Sequence, residues 1–334
     1  MQTSIRTFAA ALALGLALPT VAATVTVEGI TIDTLPQVTG TYQFAHGFGL
    51  IYGAMPVARQ LGIVEKMLPN AKIEWQNIFT TAQQRDAMLA GRLHFGSCTP
   101  GPFLQSWDKG VDWKWVQTTG GFDGYLMVKK DGPNSVLDFI GTAKKMSPGP
   151  NTAQYFTVQE ILRKAGKDVK ALDRNWANLP HPDAMQALIA GQLDGHFATS
   201  DFALRLEEAG MKKIATVKDT WGGSLYAVGA CALTKTMQEH PDLTRSYALA
   251  LRKVVEWMKA NPEKAAEMMS KSTGGKVPAA EFVKYLKSTT YESYTQNADL
   301  KTQATAMKTF GSIERVPKGP EDFYAYPAEA GAKW

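Results

Sequence analysis

The chain has 334 residues, of which 45% are hydrophobic and 10% aromatic, and its 36 Lys and Arg against 31 Asp and Glu give a net charge of +5. These values indicate an ordinary globular protein with room for two domains. The cations are scattered along the chain rather than clustered, which argues against a nucleic-acid-binding surface.

Residues 1–23 are predicted to form a cleavable secretory signal peptide. The segment has one cation, Arg6, then an apolar run from Phe8 to Leu18, and small residues up to Ala23. The run is much shorter than the roughly 20 residues that a membrane-spanning helix needs. We predict cleavage after Ala23, which lowers the net charge to +4 because Arg6 is the one charged residue removed. The mature protein is expected in the periplasm, not inserted in the membrane.

Strands and helices alternate through most of the mature chain. Strands are predicted at 24–32, around Thr41 to Phe44, and at 71–79, 92–97, 111–119 and 193–199. Helices are predicted at 49–68, 80–91, 102–110, 152–166, 182–191, 201–210, 240–260 and 261–271. The alternation predicts an α/β fold with βαβ units around a parallel sheet.

The sequence also contains two similar stretches. "AMLAGRLHFGSCTPGPFL" (87–104) and "ALIAGQLDGHFATSDFAL" (187–204) both run from a helix end through a strand and a loop into a new helix. Coincidence is one explanation, because this punctuation is common in α/β proteins and a single pair lacks the fixed period of a repeat array. The other is a pair of similarly built lobes, each with a strand-end loop in the same place.

The strand-end loops are the predicted ligand site. In open α/β sheets, ligands bind outside the carboxyl ends of the strands, and helices that begin there present unpaired backbone N–H groups. The candidates are small, hydroxyl-bearing, polar or aromatic residues of these loops. The predicted ligand-binding residues are Tyr42, Phe44, His46, Thr80, Thr81, Ser97, Cys98, Thr99, Gly101, Asn151, Thr152, Tyr155, His181, Ser200, Asp201 and Trp221.

Several candidates have a purely structural alternative. One of Thr80 and Thr81 is expected to cap the following helix, and Asn151 is a good helix cap. His181 is also compatible with an ordinary surface loop. Tyr42 and Phe44 alternate on a strand and are compatible with half-buried core positions, although the glycines of "AHGFG" favour a position beside an opening.

Cys98 can be a reactive thiol, half of a disulfide or an apolar wall residue. No flanking signature of a cysteine or serine hydrolase accompanies it. A disulfide to Cys231 is conceivable in an oxidising compartment, but a chain of this length does not need one. We expect Cys98 in the wall of the cleft and Cys231 in the core, and the sequence alone leaves open whether the two are paired.

Motifs for other chemistry are not found. The five histidines show no metal-binding spacing, and there is no CxxC pair. Glycine-rich phosphate loops of the GxGxxG or GxxxxGK[ST] type are also not found. The sequence therefore predicts no catalytic residues, no metal and no cofactor.

Two stretches carry a resemblance to a known family. "AGQLDGHFATSDFAL" (190–204) and "EHPDL…KANPE" (239–263), within a similarity that runs over nearly the whole mature chain, resemble the taurine/nitrate/sulfonate-type substrate-binding proteins of ABC importers. Two loops depart from the family pattern. Pro100 and Gly101 stand where the family has serines, and "TSDF" lacks the family's tryptophan and proline.

The resemblance implies a type II periplasmic binding protein, in which two α/β lobes joined by two crossover strands clamp a ligand. We expect lobe 1 to comprise residues 24–130 and 226–334, and lobe 2 residues 131–225. The crossovers 124–132 and 224–234 are the expected hinges. The implied partners are ABC permease subunits with a separate ATPase, and a monomeric receptor is expected.

The resemblance narrows the ligand to a class. Taurine, other sulfonates, nitrate, related small anions and heterocycles such as pyrimidines all fit the family's range, with taurine, a sulfonate or a related small anion expected here. The alternative function is an enzyme on the same fold that acts on a small heterocycle. The signal peptide and the missing nucleophile–base signature argue against that alternative.

Overall fold

The computed structural model describes residues 23–47, 50–78, 80–150, 152–223, 225–275, 277–287, 291–292 and 299–328. The predicted signal peptide, apart from Ala23, lies outside the described residues. The strands are β1 Thr24–Val27, β2 Ile30–Asp33, β3 Gly40–His46, β4 Ala71–Asn77, β5 Gly96–Cys98, β6 Trp113–Phe122, β7 Gly124–Val128, β8 Met146–Ser147, β9 Gly195–Thr199, β10 Lys212–Thr216, β11 Tyr226–Leu233 and β12 Tyr291–Glu292.

The helices follow the same order along the chain. They are α1 Ala54–Leu61, α2 Ile63–Met67, α3 Thr81–Leu89, α4 Pro100–Asp108, α5 Ala153–Lys164, α6 His181–Ile189, α7 Ser200–Glu208, α8 Val217–Thr220, α9 Thr234–Glu239, α10 Pro241–Ala260, α11 Pro262–Ser272, α12 Ala279–Leu286 and α13 Leu300–Thr309. Short 3₁₀ turns lie at Leu50–Tyr52, Val136–Phe139, Asp173–Asn175 and Pro320–Asp322.

Two sheets form the framework of two lobes. The first lobe contains the sheet β12-β6-β11-β5, which the parallel pair β3-β4 extends through a bridge between Phe44 and Phe95. The second lobe contains the sheet β10-β7-β9-β8. The chain passes from one sheet to the other at Asp123, between β6 and β7, and the predicted lobe boundary at residue 130 therefore falls after β7.

The expectation of a parallel sheet is corrected, because both sheets are mixed. β3 with β4 and β8 with β9 are parallel, but β11 is antiparallel to β5 and β6, and β7 is antiparallel to β9 and β10. The reason is topological. A strand that arrives from the other lobe enters the sheet at the edge where its neighbours end, as the pairing of Gly124 with Thr199 demonstrates, so it must run in the opposite direction.

Most other predicted elements hold, with shifts at their ends, but the strand predicted at 24–32 is a hairpin of β1 and β2, because the chain turns at Glu28 and Gly29, both of which have positive φ. The helix predicted at 49–68 is divided into α1 and α2 because Gly62 adopts a left-handed φ of +61°. α4 begins at Pro100 rather than Pro102, since a proline fits the first helical position, where its missing N–H has no partner to lose.

Side-chain alternation along β7 buries both faces of the second sheet. Leu126 and Val128 join the large core shared with the first lobe. Tyr125 and Met127 point the other way, into a smaller core formed with α6 and α7. The described residues include no helix that combines the length and the hydrophobicity required to cross a membrane.

Candidate ligand-binding site

The two lobes meet at the N-terminus of α4. A Cβ atom on Gly101 would lie 2.6 Å from two ring carbons of Phe156, in the first turns of α5, and 3.0 Å from the hydroxyl oxygen of Tyr226, the first residue of β11. Glycine at position 101 therefore allows the second-lobe helix α5 to approach the first lobe closely, beside the first residue of β11.

Few backbone donors remain in the first turn of α4. The Thr99 amide donates to the Thr81 hydroxyl at 3.2 Å, and the Phe103 amide donates to the Thr99 carbonyl at 3.2 Å. Pro100 and Pro102 have no amide hydrogen. The Gly101 amide is left, beside the Tyr226 hydroxyl.

Tyr226 places a buried polar group at this contact. Its side chain is 1% exposed, and no described group accepts its hydroxyl hydrogen. Burial raises the pKa of Tyr226, and the adjacent Gly101 amide opposes part of that rise. A buried donor without an acceptor is costly, so an acceptor atom of a bound molecule would be stabilised there.

The N-terminus of α5 supplies further donors on the second lobe. The Thr152 hydroxyl accepts the Tyr155 amide at 3.2 Å and donates to the Gly149 carbonyl at 2.6 Å. The amides of Ala153 and Gln154 make no hydrogen bond within the described residues. Two free amides and the positive end of the helix dipole favour an acceptor or an anion at this point.

Of the two threonines, one of which was expected to cap a helix, Thr80 is the cap. The Thr80 hydroxyl accepts the Gln83 amide at 3.1 Å, and the Gln83 side chain accepts the Thr80 amide, which makes Thr80 the cap of α3. Thr81 is 4% exposed and holds the Thr99 amide. Thr81 thus ties the start of α3 to the start of α4.

Ser97 is enclosed within the first lobe. It is 0% exposed; its hydroxyl accepts the Gly47 amide at 2.8 Å and the Gln84 side-chain amide at 2.9 Å. Gln84 also accepts the Ser97 amide at 2.5 Å and donates to the Ile78 carbonyl at 2.9 Å. This network fixes the ends of three strands relative to α3.

Ser200 and Asp201 are engaged at the start of α7. Ser200 is 0% exposed and donates to the Asp123 carbonyl at 2.6 Å, so it anchors α7 to the crossover. Asp201 accepts the Thr199 hydroxyl. Burial raises the pKa of Asp201, while the Thr199 hydroxyl and the amides of Phe202 and Asp201 itself act in the opposite direction. The carboxylate therefore lies over the amides of its own helix.

The aromatic candidates of β3 are core residues of the first lobe. Phe44 is 0% exposed and packs against Phe95 and Tyr247, with ring centroids 5.1 and 5.0 Å away. Tyr42 lies against His94 at 5.2 Å. His46 is 4% exposed, and burial, with a smaller contribution from Arg59, lowers its pKa although the Gly47 carbonyl bonds its ring.

Cys98 and Cys231 form a disulfide, which is the alternative that the sequence left open but did not favour. Their Cα atoms are 6.2 Å apart, although 133 residues separate them in sequence. The reason is the pairing of β5 with β11, which sets Cys98 opposite Gly229 and Cys231 opposite Gly96. Both cysteines are fully buried.

Three other predicted residues make side-chain hydrogen bonds within the second lobe. The half-buried Tyr155 donates to Asp173 at 2.9 Å. The His181 and His196 rings share a hydrogen bond of 2.8 Å. The Trp221 indole donates to the Thr157 hydroxyl at 3.1 Å. The remaining candidate, Asn151, lies outside the described residues.

Sequence reasoning missed four residues that organise the site: Gln84, Asp123, Phe156 and Tyr226. Asp123 is 5% exposed, and its carboxylate accepts the Lys218 amide at 2.9 Å. Its place in "GGFDGYL", between the predicted strand 111–119 and the predicted crossover 124–132, was the available signal. Phe156 and Tyr226 follow the apolar pattern of a helix and a strand, so nothing in the sequence distinguishes them from core.

The arrangement is suited to binding. The N-termini of α4 and α5 offer backbone donors on either side of the contact between Gly101 and Phe156. The described residues include no group of three or more His, Cys, Asp or Glu that could hold a metal ion.

Comparison with known proteins identifies the fold and the family. The chain is similar to the periplasmic aliphatic sulphonate binding protein SsuA of Escherichia coli (TM-score 0.65, 18% identity, 82% of this chain and 89% of that one). It is similar to the alkanesulfonate-binding protein SsuA of Xanthomonas axonopodis bound to MOPS (0.69, 17%, 86% and 97%). It also resembles the periplasmic nitrate-binding protein NrtA of Synechocystis (0.65, 11%, 84% and 83%).

These likenesses establish the two-lobed fold of periplasmic binding proteins. No curated protein sequence matches the chain significantly. The family model described as "NMT1/THI5 like" matches residues 80–265, more than half of the chain, and includes both stretches that carry the predicted resemblance. The chain therefore belongs to the NMT1/THI5-like family.

Proposed function

We propose that the protein is a periplasmic solute-binding receptor of an ABC importer, which takes up a small anion of the sulfonate or nitrate type between its lobes. The observation that carries the proposal is the contact of Gly101 with Phe156 and Tyr226, where the lobes meet. The donors offered to a ligand are the Tyr226 hydroxyl, which no described group accepts, and the amides of Ala153 and Gln154, which make no hydrogen bond within the described residues.

The ligand is held by hydroxyls and backbone amides in this proposal, not by a buried arginine. The helix N-termini of α4 and α5 each favour a negative charge by about 0.3–1 kcal/mol. The rings of Phe156 and Tyr226 lie at the same contact, so a ligand with an apolar body next to its anionic group fits best. Taurine or an alkylsulfonate meets that description better than nitrate.

The rest of the proposal concerns delivery. The predicted signal peptide and the periplasmic location of the similar structures support a receptor cut after Ala23 and acting in the periplasm. Separate permease and ATPase chains would receive the ligand from a monomer. The lobes would close about the crossovers, with lobe 2 beginning at β7 in place of the predicted residue 131, because β7 pairs within the second-lobe sheet.

The test is a calorimetric titration of the mature protein with taurine, an alkylsulfonate, nitrate and a neutral pyrimidine. Tyr226→Phe removes the unsatisfied hydroxyl and is expected to weaken binding of the preferred anion by about tenfold, as for a lost hydrogen bond to a charged group. Tyr247→Phe, in the buried aromatic cluster of α10, is the matched control.

Two results would refute the proposal. If Tyr226→Phe binds the anion as tightly as the unaltered protein, the ligand site does not lie at Gly101. If the protein binds the pyrimidine and none of the anions, the ligand is not a small anion. Chemical analysis of the ligand after incubation tests the enzyme alternative, because a receptor returns it unaltered.

A further inference from the structure

The aromatic ring of Phe156 reaches from the second lobe to the first turn of α4. A Cβ atom on Gly101 would lie 2.6 Å from the Cδ2 and Cε2 atoms of this ring, so the ring covers the second residue of α4. Phe156 is 1% exposed. Its ring therefore fills the space between the lobes in front of the N-terminus of α4.

The same ring lies close to the free amides of its own helix. Phe156 is the fourth residue of α5, and side chains on an α-helix lean towards the helix N-terminus. The amides of Ala153 and Gln154, which make no hydrogen bond within the described residues, belong to the same first turn. A ligand whose anionic group accepts from these amides therefore has the Phe156 ring beside it.

A neighbouring tyrosine supports the Phe156 ring. The Tyr155 ring meets it edge to face, with centroids 5.6 Å apart. The Tyr155 hydroxyl donates to Asp173 at 2.9 Å and accepts the Gln159 side-chain amide at 3.3 Å. Because two hydrogen bonds fix Tyr155 and the backbone of Gly101 lies on another side, the Phe156 ring is a firm wall for a ligand.

We propose that Phe156 determines which ligands fit by limiting the length of their apolar body, a role that presupposes the receptor function proposed above. The anionic group would accept from the α5 amides and from the Tyr226 hydroxyl, which has no acceptor among the described residues. The apolar body would then end against the ring. A body of two carbons, as in taurine or ethanesulfonate, leaves the ring in place, whereas a longer chain has to displace it, and displacing packed groups weakens binding.

The experiment measures, by calorimetry, the affinity of the mature protein for ethanesulfonate and for hexanesulfonate. We expect the unaltered protein to prefer ethanesulfonate by about tenfold or more, because surplus methylenes in a filled pocket have effects of that size. Phe156→Ala should bind hexanesulfonate about tenfold more tightly than the unaltered protein does, and Phe156→Leu should show a smaller gain. A gain of affinity does not result from lost stability, so it distinguishes ligand selection from a structural role.

Phe139→Leu is the matched control. Phe139 is also fully buried in the second lobe, but it packs beside Gly195, at the opposite end of β9 from Thr199. This variant should keep the length preference of the unaltered protein. Circular dichroism checks that each variant is folded, and Phe156→Leu decides the matter if Phe156→Ala does not fold.

Two outcomes would overturn the proposal, and they differ in what else they remove. If the Phe156 variants bind sulfonates with the length preference of the unaltered protein, Phe156 does not select the ligand, and the receptor function stands. If neither sulfonate binds to the unaltered protein or to any variant, the receptor function proposed above and the role of Phe156 fail together.

Discussion

The two lobes have helices at equivalent positions, but the residues at those positions differ. α3 and α6 begin at Thr81 and His181, and α4 and α7 begin at Pro100 and Ser200, so each pair is offset by 100 residues. This correspondence supports two similarly built lobes over coincidence as the reason for the repeated sequence.

The lobes differ where a helix packs against a strand. In the first lobe, a Cβ on Gly96 of β5 would lie 2.6 Å from the side-chain oxygen of Gln84 in α3, so glycine at position 96 makes room for the Gln84 side chain. The second lobe has Ala184 and His196 at the equivalent positions, and the strand residue bonds His181 instead. The buried polar side chain can thus come from the helix or from the strand, provided that the residue opposite it on the other element is small.

The helix N-termini differ in the same way. The second position of α4 is Gly101, which lies against the opposite lobe, and the second position of α7 is Asp201, which lies over its own helix. The first N-terminus is therefore available for contact between lobes, and the second is occupied by its own carboxylate. Similar sequence between the repeats does not imply a similar role in binding.

The largest effect on stability is expected where Gln84 packs against β5 in the first lobe. Gln84→Met keeps the volume but leaves the Ser97 amide and the Ile78 carbonyl without their partners. Unsatisfied buried groups cost about 1–3 kcal/mol each, so we expect a loss of about 3 kcal/mol in the free energy of unfolding. Urea denaturation measures it, with the exposed Gln192→Met as control. A loss below about 1 kcal/mol would mean that the network is not stabilising.

The next largest effect is expected on ligand affinity, from a substitution at Gly101, where the lobes meet. Gly101→Val forces a side chain into Phe156 and Tyr226, and overpacking of this kind costs about 1–3 kcal/mol. Because the clash is between lobes, we expect weaker ligand binding, about tenfold, with less change in the unfolding of either lobe. Phe156→Ala in the same chain should restore part of the affinity. No restoration in the double variant would argue against a direct clash.

The histidine pair of the second lobe is expected to make the free energy of unfolding depend on pH. Burial lowers the pKa of His181 to about 4, and burial together with His181 lowers that of His196 well below 6.5. The folded state therefore favours the neutral pair. This stabilisation is full above pH 6.5 and is lost as the pH falls towards 4, by about 3 kcal/mol for His181 alone.

His196→Gln should flatten that part of the pH profile. The comparison is made by urea denaturation between pH 7 and pH 4. His46, whose pKa burial also lowers, contributes equally to both proteins, so the difference between the profiles isolates the pair. Parallel profiles would show that the pair does not titrate on folding.

The smallest effect is expected from the surface between the lobes. α7 and α12 are joined by two exposed ion pairs, Arg205 with Glu281 at 2.6 Å and Lys284 with Glu208. Exposed pairs contribute less than about 1 kcal/mol and are screened by salt. Glu281→Gln should reduce ligand affinity less than fivefold, and only at low ionic strength. Glu74→Gln breaks an ion pair within the first lobe and should leave ligand affinity unchanged. A salt-independent loss would contradict this explanation.

Much of the fold could be predicted from the sequence because local signals control it. Hydrophobic periodicity and glycine punctuation located most helices and strands, and the hydroxyl of Thr80 before "AQQ" located a capped helix start. The family resemblance, confirmed by the match over residues 80–265, added the two-lobed architecture. These features depend on neighbours in sequence, or on a pattern repeated along the whole chain.

Tertiary structure decided what depends on distant residues. The strand pairing of β5 with β11 brought Cys98 to Cys231, and the crossing direction of β7 and β11 made the sheets mixed. The closeness of Gly101, Phe156 and Tyr226 results from the packing of one lobe on the other, and none of the three carries a local signal of that contact. A residue's type fixes which bonds it can make, but the fold determines which partners lie within reach.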